Sequence, residues 1–169
     1  MDKICISADS TFDMTPEMAE RYEIKVIPSY VRMDTTDFFD YPDIKQEALF
    51  EYYNKTKKLP QTAAANPVEY ENFFKECLQE YDCVIHIAKS AGMSCCYESA
   101  VLAAQKMNNI YVVDSMTISG GSALLAMEAA KQKDRHTAIH LQEYLFDFRE
   151  RINGSFIVET VEYLHEGGR

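Results

Sequence analysis

Residues 83–100 read CVIHIAKSAGMSCCYESA, and the fold follows from how this stretch changes character along its length. Val84, Ile85, Ile87 and Ala88 form an apolar run of strand length between Asp82 and Lys89. Ser90, Ala91 and Gly92 interrupt it with small residues. Tyr97, Ala100, Val101 and Ala104 then recur at helical spacing. The stretch therefore predicts strand, tight loop and helix, with Ser94 at or beside the helix N-cap. A helix start carries free backbone N–H groups and the positive end of the helix dipole. A hydroxyl there suits a carboxylate or phosphate. The same hydroxyl can equally do no more than cap its helix.

Working upstream, residues 3–8 (KICISA) form a strand apolar enough to be buried on both faces, ending in Asp9-Ser10-Thr11-Phe12-Asp13. Thr15-Pro16-Glu17 reads as cap and first turn of a helix reaching Tyr22. Residues 25–33 (KVIPSYVRM) read as a second strand, which Pro28 assigns to an edge or irregular position. Residues 34–42 are acidic and aromatic and read as a loop, with Asp37, Asp40 and Asp43 as solvated carboxylates. A helix covers residues 44–57, a second loop 59–67, and a third helix opens at Pro67 with Tyr70, Phe73, Phe74, Cys77 and Leu78 on one face. Downstream of the central stretch, residues 110–113 (IYVV) form a strand ending in Asp114-Ser115. Helices follow from Ser119 to Ala130 and from Thr137 to Arg151, and a last strand is expected over residues 156–161. Strands alternating with helices predict an α/β fold: a doubly wound, mostly parallel sheet with helices on both faces. Such sheets receive ligands at the carboxyl ends of their strands. Here those ends carry Asp9-Ser10, Lys89-Ser90 and Asp114-Ser115.

The 169 residues suffice for one domain with a sizeable core. Net charge is −10, which disfavours a nucleic-acid partner. The basic run from Lys55 to Lys58 reads as a helix C-terminus. No apolar run approaches the length of a membrane span, so stable membrane insertion is not expected. Five cysteines without an export signal predict reduced thiols and a cytoplasmic chain.

Several segments, taken in order, resemble the DegV family. They are Asp9-Ser10-Thr11-Phe12-Asp13-Met14, Thr62 with the small residues after it, Ser94-Cys95-Cys96-Tyr97-Glu98-Ser99-Ala100, Asp114-Ser115, and Tyr163-Leu164-His165-Glu166-Gly167-Gly168-Arg169. The resemblance implies a two-domain bacterial protein that binds one long-chain fatty acid. It further implies a partner: a separate fatty acid kinase subunit to which the acyl carboxylate is presented for acyl phosphate formation. In that family the loop Thr and the helix-start Ser hold the carboxylate, here Thr62 and Ser94, and a His of the second domain completes the head-group site. The resemblance covers the first domain, expected at 1–152, with 153–169 starting a second domain missing from this truncated chain. Cys95 and Cys96 stand where the family has Gly and Thr.

The chemistry suits that ligand. A buried carboxylate without partners costs several kcal/mol, and two hydroxyls beside a helix N-terminus offset that without a cationic side chain. Ser90, Cys95, Ala63 and Gly92 complete the expected ligand-binding set, the small residues leaving room. Asp9, Ser10, Asp114 and Ser115 are expected to support the loops; the two aspartates can instead cap their own turns. Ile87, Met93 and Leu124 are candidate wall residues or ordinary core. Neither a catalytic residue, a metal nor a cofactor is expected. The alternative is an α/β enzyme with Cys95 or Cys96 as a helix-start nucleophile. His136 and His140 read as a solvated helix face, and His86 as a buried, satisfied histidine.

Overall fold

In the computed structural model, which describes residues 2–41, 43–155, 157, 158, 161 and 165, the chain alternates strands and helices. In order these are β1 (Ile4–Asp9), a 3₁₀ turn (Ser10–Phe12), α1 (Pro16–Arg21), β2 (Ile24–Ile27), β3 (Tyr30–Met33), β4 (Thr36–Phe39), α2 (Gln46–Thr56), β5 (Gln61–Ala63), α3 (Pro67–Cys77), β6 (Cys83–Ala88), α4 (Cys96–Ala104), β7 (Ile110–Asp114), α5 (Gly120–Gln132) and α6 (Ala138–Arg149).

Every residue of β1 and β6 is buried, the polar Ser7, Asp9 and His86 included, as in a strand covered on both faces. They pair in parallel at the centre of a sheet of order β2-β1-β6-β7. The alternation of side chains divides the core in two. Ile4, Ile6, Ala8, Ile85, Ile87 and Val113 pack against Leu125 and Ala129 of α5 and Leu141 and Leu145 of α6. Cys5, Val84, Ala88 and Val112 pack against Tyr70, Phe74 and Cys77 of α3 and Ala100 and Ala103 of α4. Helices therefore cover both faces, as expected of a doubly wound sheet. From β1 the chain crosses to β2 on one side, and from β6 to β7 on the other. The β1/β6 boundary is thus the switch point, where such sheets open a crevice at their carboxyl ends.

Four sequence expectations change. Residues 25–33 are two strands, not one. Pro28 has no N–H to give a ladder, and the Ser29 N–H is drawn to the Ser10 hydroxyl and the Asp40 carboxylate, both at 3.0 Å. The chain leaves the parallel sheet there and enters a second, antiparallel sheet of order β4-β3-β5. The acidic loop is therefore a hairpin, turned by Asp34-Thr35 with Asp34 at φ 54°. Arg32 and Asp37 stand opposite each other across it, with two bonds of 2.6 and 2.7 Å. The loop at 59–67 contributes β5, where Thr62 pairs with Val31. The strand expected at 156–161 is absent at the described positions: Ile157 and Val158 are exposed outside any ladder, and Phe156, Glu159 and Thr160 lie outside the described residues. So do Tyr163, Leu164 and residues 166–169 of the last motif, and most of the segment expected to begin a second domain.

Local signals hold elsewhere. The Thr15 hydroxyl accepts the Met18 N–H at 3.3 Å, with Pro16 in the first turn. Asn66 and Glu69 form a reciprocal capping box around Pro67 at the start of α3.

At the start of α5, a Cβ on Gly121 would lie 2.3 Å from the Thr117 hydroxyl oxygen. The Thr117 carbonyl accepts the Ser90 N–H at 3.1 Å, so displacing Thr117 disturbs the loop after β6. Gly121→Ala is expected to cost about 1–3 kcal/mol of stability in chemical denaturation; a change under about 0.5 kcal/mol would mean the turn accommodates the methyl group freely.

Candidate functional site

The carboxyl end of β1 carries Asp9, which is 3% exposed. Its carboxylate accepts the Tyr70 hydroxyl at 2.5 Å and the Lys89 N–H, just past β6, at 2.7 Å. Asp9 thus ties β1 to α3 and to the end of β6. Burial alone would raise its pKa, but His86, the Tyr70 hydroxyl and the Lys89 N–H outweigh burial and hold the carboxyl below the usual aspartate range. The same burial, with the Asp9 charge, pushes the Tyr70 phenol well above its ordinary value. His86 is fully buried, with Nδ1 3.0 Å from the Ser7 hydroxyl. Its Nε2 lies 3.4 Å from Asp9 without an aligned hydrogen bond, so this histidine is only partly satisfied.

The other residues expected to support the loops also make local side-chain bonds. Asp114 accepts the Ala91 N–H at 3.2 Å and the Met116 N–H at 2.9 Å, holding the β6–α4 loop beside the end of β7. Ser115 bonds within its own turn, donating to the Thr117 carbonyl at 3.0 Å. Ser10 donates to Asp40 at 2.7 Å while accepting the Ser29 N–H. Asp40 is therefore no solvated loop carboxylate. Burial pushes its pKa up, and the bonds from Ser10 and the Ser29 N–H only partly oppose this.

These ties frame a cavity of about 440 Å³, of the size that receives small ligands. Thr62, Ala63 and Ala64 line it from β5 and the residue after it. Met93, Ser94, Cys95 and Cys96 line it from the turn into α4. Ser94 lies one residue before the N-cap, which is Cys95, and its hydroxyl oxygen accepts the Cys96 N–H at 3.3 Å. Thr62 is exposed and also borders a second cavity of about 280 Å³ on the outer face of the small sheet.

The structure brings Thr62, Ser94, Ala63 and Cys95 to one cavity. Ser90 and Gly92 do not line it. Ser90 is buried and closes its own loop, its hydroxyl accepting the Gly92 N–H at 3.3 Å, and Gly92 faces solvent. Among the candidate walls only Met93 lines the cavity; Ile87 is core and Leu124 is exposed on α5. Sequence reasoning missed Lys89, Asp40 and Tyr30, which also line it. Lys89 was visible as the one basic residue among the three polar strand ends. Asp40 becomes half-buried only through partners far away in sequence.

Among the described residues, no group of three or more His, Cys, Asp and Glu is placed to hold a metal. His136 precedes α6 and stacks on Tyr144 at 5.5 Å, so it does not share a helix face with exposed His140. Burial, with Asp9 nearby, raises the Cys96 pKa and keeps that thiol protonated, which argues against it as a nucleophile. All five cysteines are free. No helix among the described residues is long and apolar enough to cross a membrane.

Hydroxyls, small side chains and a lysine line a cavity at the switch point of an α/β domain of the doubly wound class. The chain belongs to the DegV family, whose model, described as an uncharacterised protein family, matches residues 3–169. A DegV domain-containing protein of Caldanaerobacter subterraneus is 31% identical over all of this chain and 61% of its own length. The crystal structure titled as DegV, a fatty acid binding protein from Bacillus subtilis, superposes with a TM-score of 0.92 at 25% identity, over all of this chain and 61% of that one. A stearic-acid-binding protein from Eubacterium ventriosum superposes with a TM-score of 0.81 at 25% identity, over 97% of this chain and 59% of its own. The chain thus spans about three fifths of the length of these relatives.

Proposed function

We propose that this domain provides the head-group end of a site for one long-chain fatty acid. In this reading Thr62 and Ser94 donate to the carboxylate, and the protein presents it to a separate kinase subunit that forms the acyl phosphate. The protein itself supplies binding and no chemistry. The observation that carries the reading is that Thr62 and Ser94, distant in sequence, line one cavity at the switch point. Small Ala63 and Ala64 and flexible Met93 leave room beside them for an acyl chain. The relatives named above as fatty-acid-binding proteins support the ligand class.

The test is the double variant Thr62→Ala, Ser94→Ala in the intact protein. Each hydroxyl bonded to a charged head group is worth ~1.5 kcal/mol, so the pair should weaken fatty-acid binding about 100-fold. Native mass spectrometry of the purified protein reads the loss directly. Undiminished retention of a long-chain fatty acid by the double variant would reject the assignment.

A further inference from the structure

We infer that Lys89 is the specificity-determining residue of this cavity: its ammonium selects an ionised acyl head group over a neutral one. The inference rests on the fatty-acid reading above and adds to it a cationic partner absent from the pair of hydroxyls. Lys89 is half-buried and is the only cationic residue lining the cavity among the described residues. Its backbone N–H is fixed by the buried Asp9 carboxylate, which sets where the side chain departs. Among the described residues its Nζ has neither a hydrogen bond nor an ion pair, whereas Lys25, Lys58, Lys75, Lys106 and Lys133 each engage a carboxylate. The one anionic side chain among the described residues of the cavity wall, Asp40, bonds the Ser10 hydroxyl and the Ser29 N–H and forms no ion pair with Lys89. The ammonium therefore makes no close contact with a carboxylate, although its charge is felt by Asp40 across the cavity.

The physical consequence is selectivity. Hydroxyl donors such as Thr62 and Ser94 bond an alcohol or ester oxygen as readily as they bond a carboxylate. An ammonium in a partly desolvated cavity rewards only the ligand that carries charge. Lys89 thus favours a carboxylate, or the still more anionic acyl phosphate, over a fatty alcohol.

The experiment compares palmitate with hexadecanol, by displacement of a fluorescent fatty acid from the intact protein, in the wild type, Lys89→Met and Lys89→Arg. Lys89→Met is expected to weaken palmitate about tenfold while leaving hexadecanol within about twofold, and Lys89→Arg to restore palmitate. A palmitate affinity in Lys89→Met within about twofold of the wild type overturns the inference while leaving the fatty-acid reading in place, and so does an equal loss for both ligands. A wild type that binds neither ligand overturns both.

Discussion

Asp9→Ala is expected to destabilise the fold by about 3–5 kcal/mol, because it removes the carboxylate that two donors bond and His86 faces at the switch point. The Tyr70 hydroxyl and the Lys89 N–H lose bonds of 2.5 and 2.7 Å, and His86 Nε2 loses its charged neighbour at 3.4 Å. Tyr70 and His86 are fully buried, so water cannot readily replace the carboxylate. Asp9→Asn keeps an acceptor in place and should cost less. The native Asp9 also sets a pH dependence. Its folded pKa lies below its ordinary value of 3.8. Its contribution is therefore complete above that value and is lost as pH falls through the lower folded pKa. Urea denaturation at neutral pH should show the full loss in Asp9→Ala, and the variant's acid limb below about pH 4 should be shallower than the wild type's. A loss below about 1 kcal/mol would mean that the three groups find other partners.

The same residue shows where sequence reading succeeds and where it stops. Burial of β1 was legible because KICISA is mostly apolar on both faces, and β6 showed the same mostly apolar run in CVIHIA. Thr15 and Pro16 marked α1 because capping is local chemistry. The second sheet was not legible. β5 is three exposed residues long, too short for any period, and exists through its pairing with β3. The hairpin carried one readable signal, Arg32 and Asp37 flanking a two-residue turn, but its acidic and aromatic composition masked it. In the candidate site, Ser94 was read from its place at a helix start, whereas Thr62 was singled out only through the family resemblance. Lys89 and Asp40 were missed for complementary reasons. A lysine after a strand is ordinary in sequence, and only the fold shows that its charge lacks a partner. An aspartate in an acidic run reads as solvated until Ser10 and Ser29 enclose it.

Phe74→Ala is expected to cost about 3–5 kcal/mol, of the same order as the loss of Asp9 but through packing rather than electrostatics. Phe74 is 0% exposed and lies in the core between the sheet and the α3–α4 layer. Its ring centroid is 5.9 Å from Tyr70 and from Phe73, and 5.4 Å from His86, which it meets edge-on. Truncation removes the ring's buried surface and leaves a void behind the two side chains that flank Asp9. Helix α3 keeps its capping box, so the loss belongs to tertiary packing and far-ultraviolet circular dichroism of the folded variant should be unchanged. Phe50→Ala is the matched control. Phe50 is 67% exposed on α2, and its removal should stay within about 0.5 kcal/mol. The two variants delete the same atoms, so the difference between their urea midpoints isolates the contribution of burial. Because Tyr70 and His86 lean on Phe74 and also flank Asp9, combining Phe74→Ala with Asp9→Ala should cost less than the sum of the single losses. Strict additivity would show that the aromatic layer and the carboxylate are energetically separate, and that the position of Lys89 owes nothing to the core beneath it.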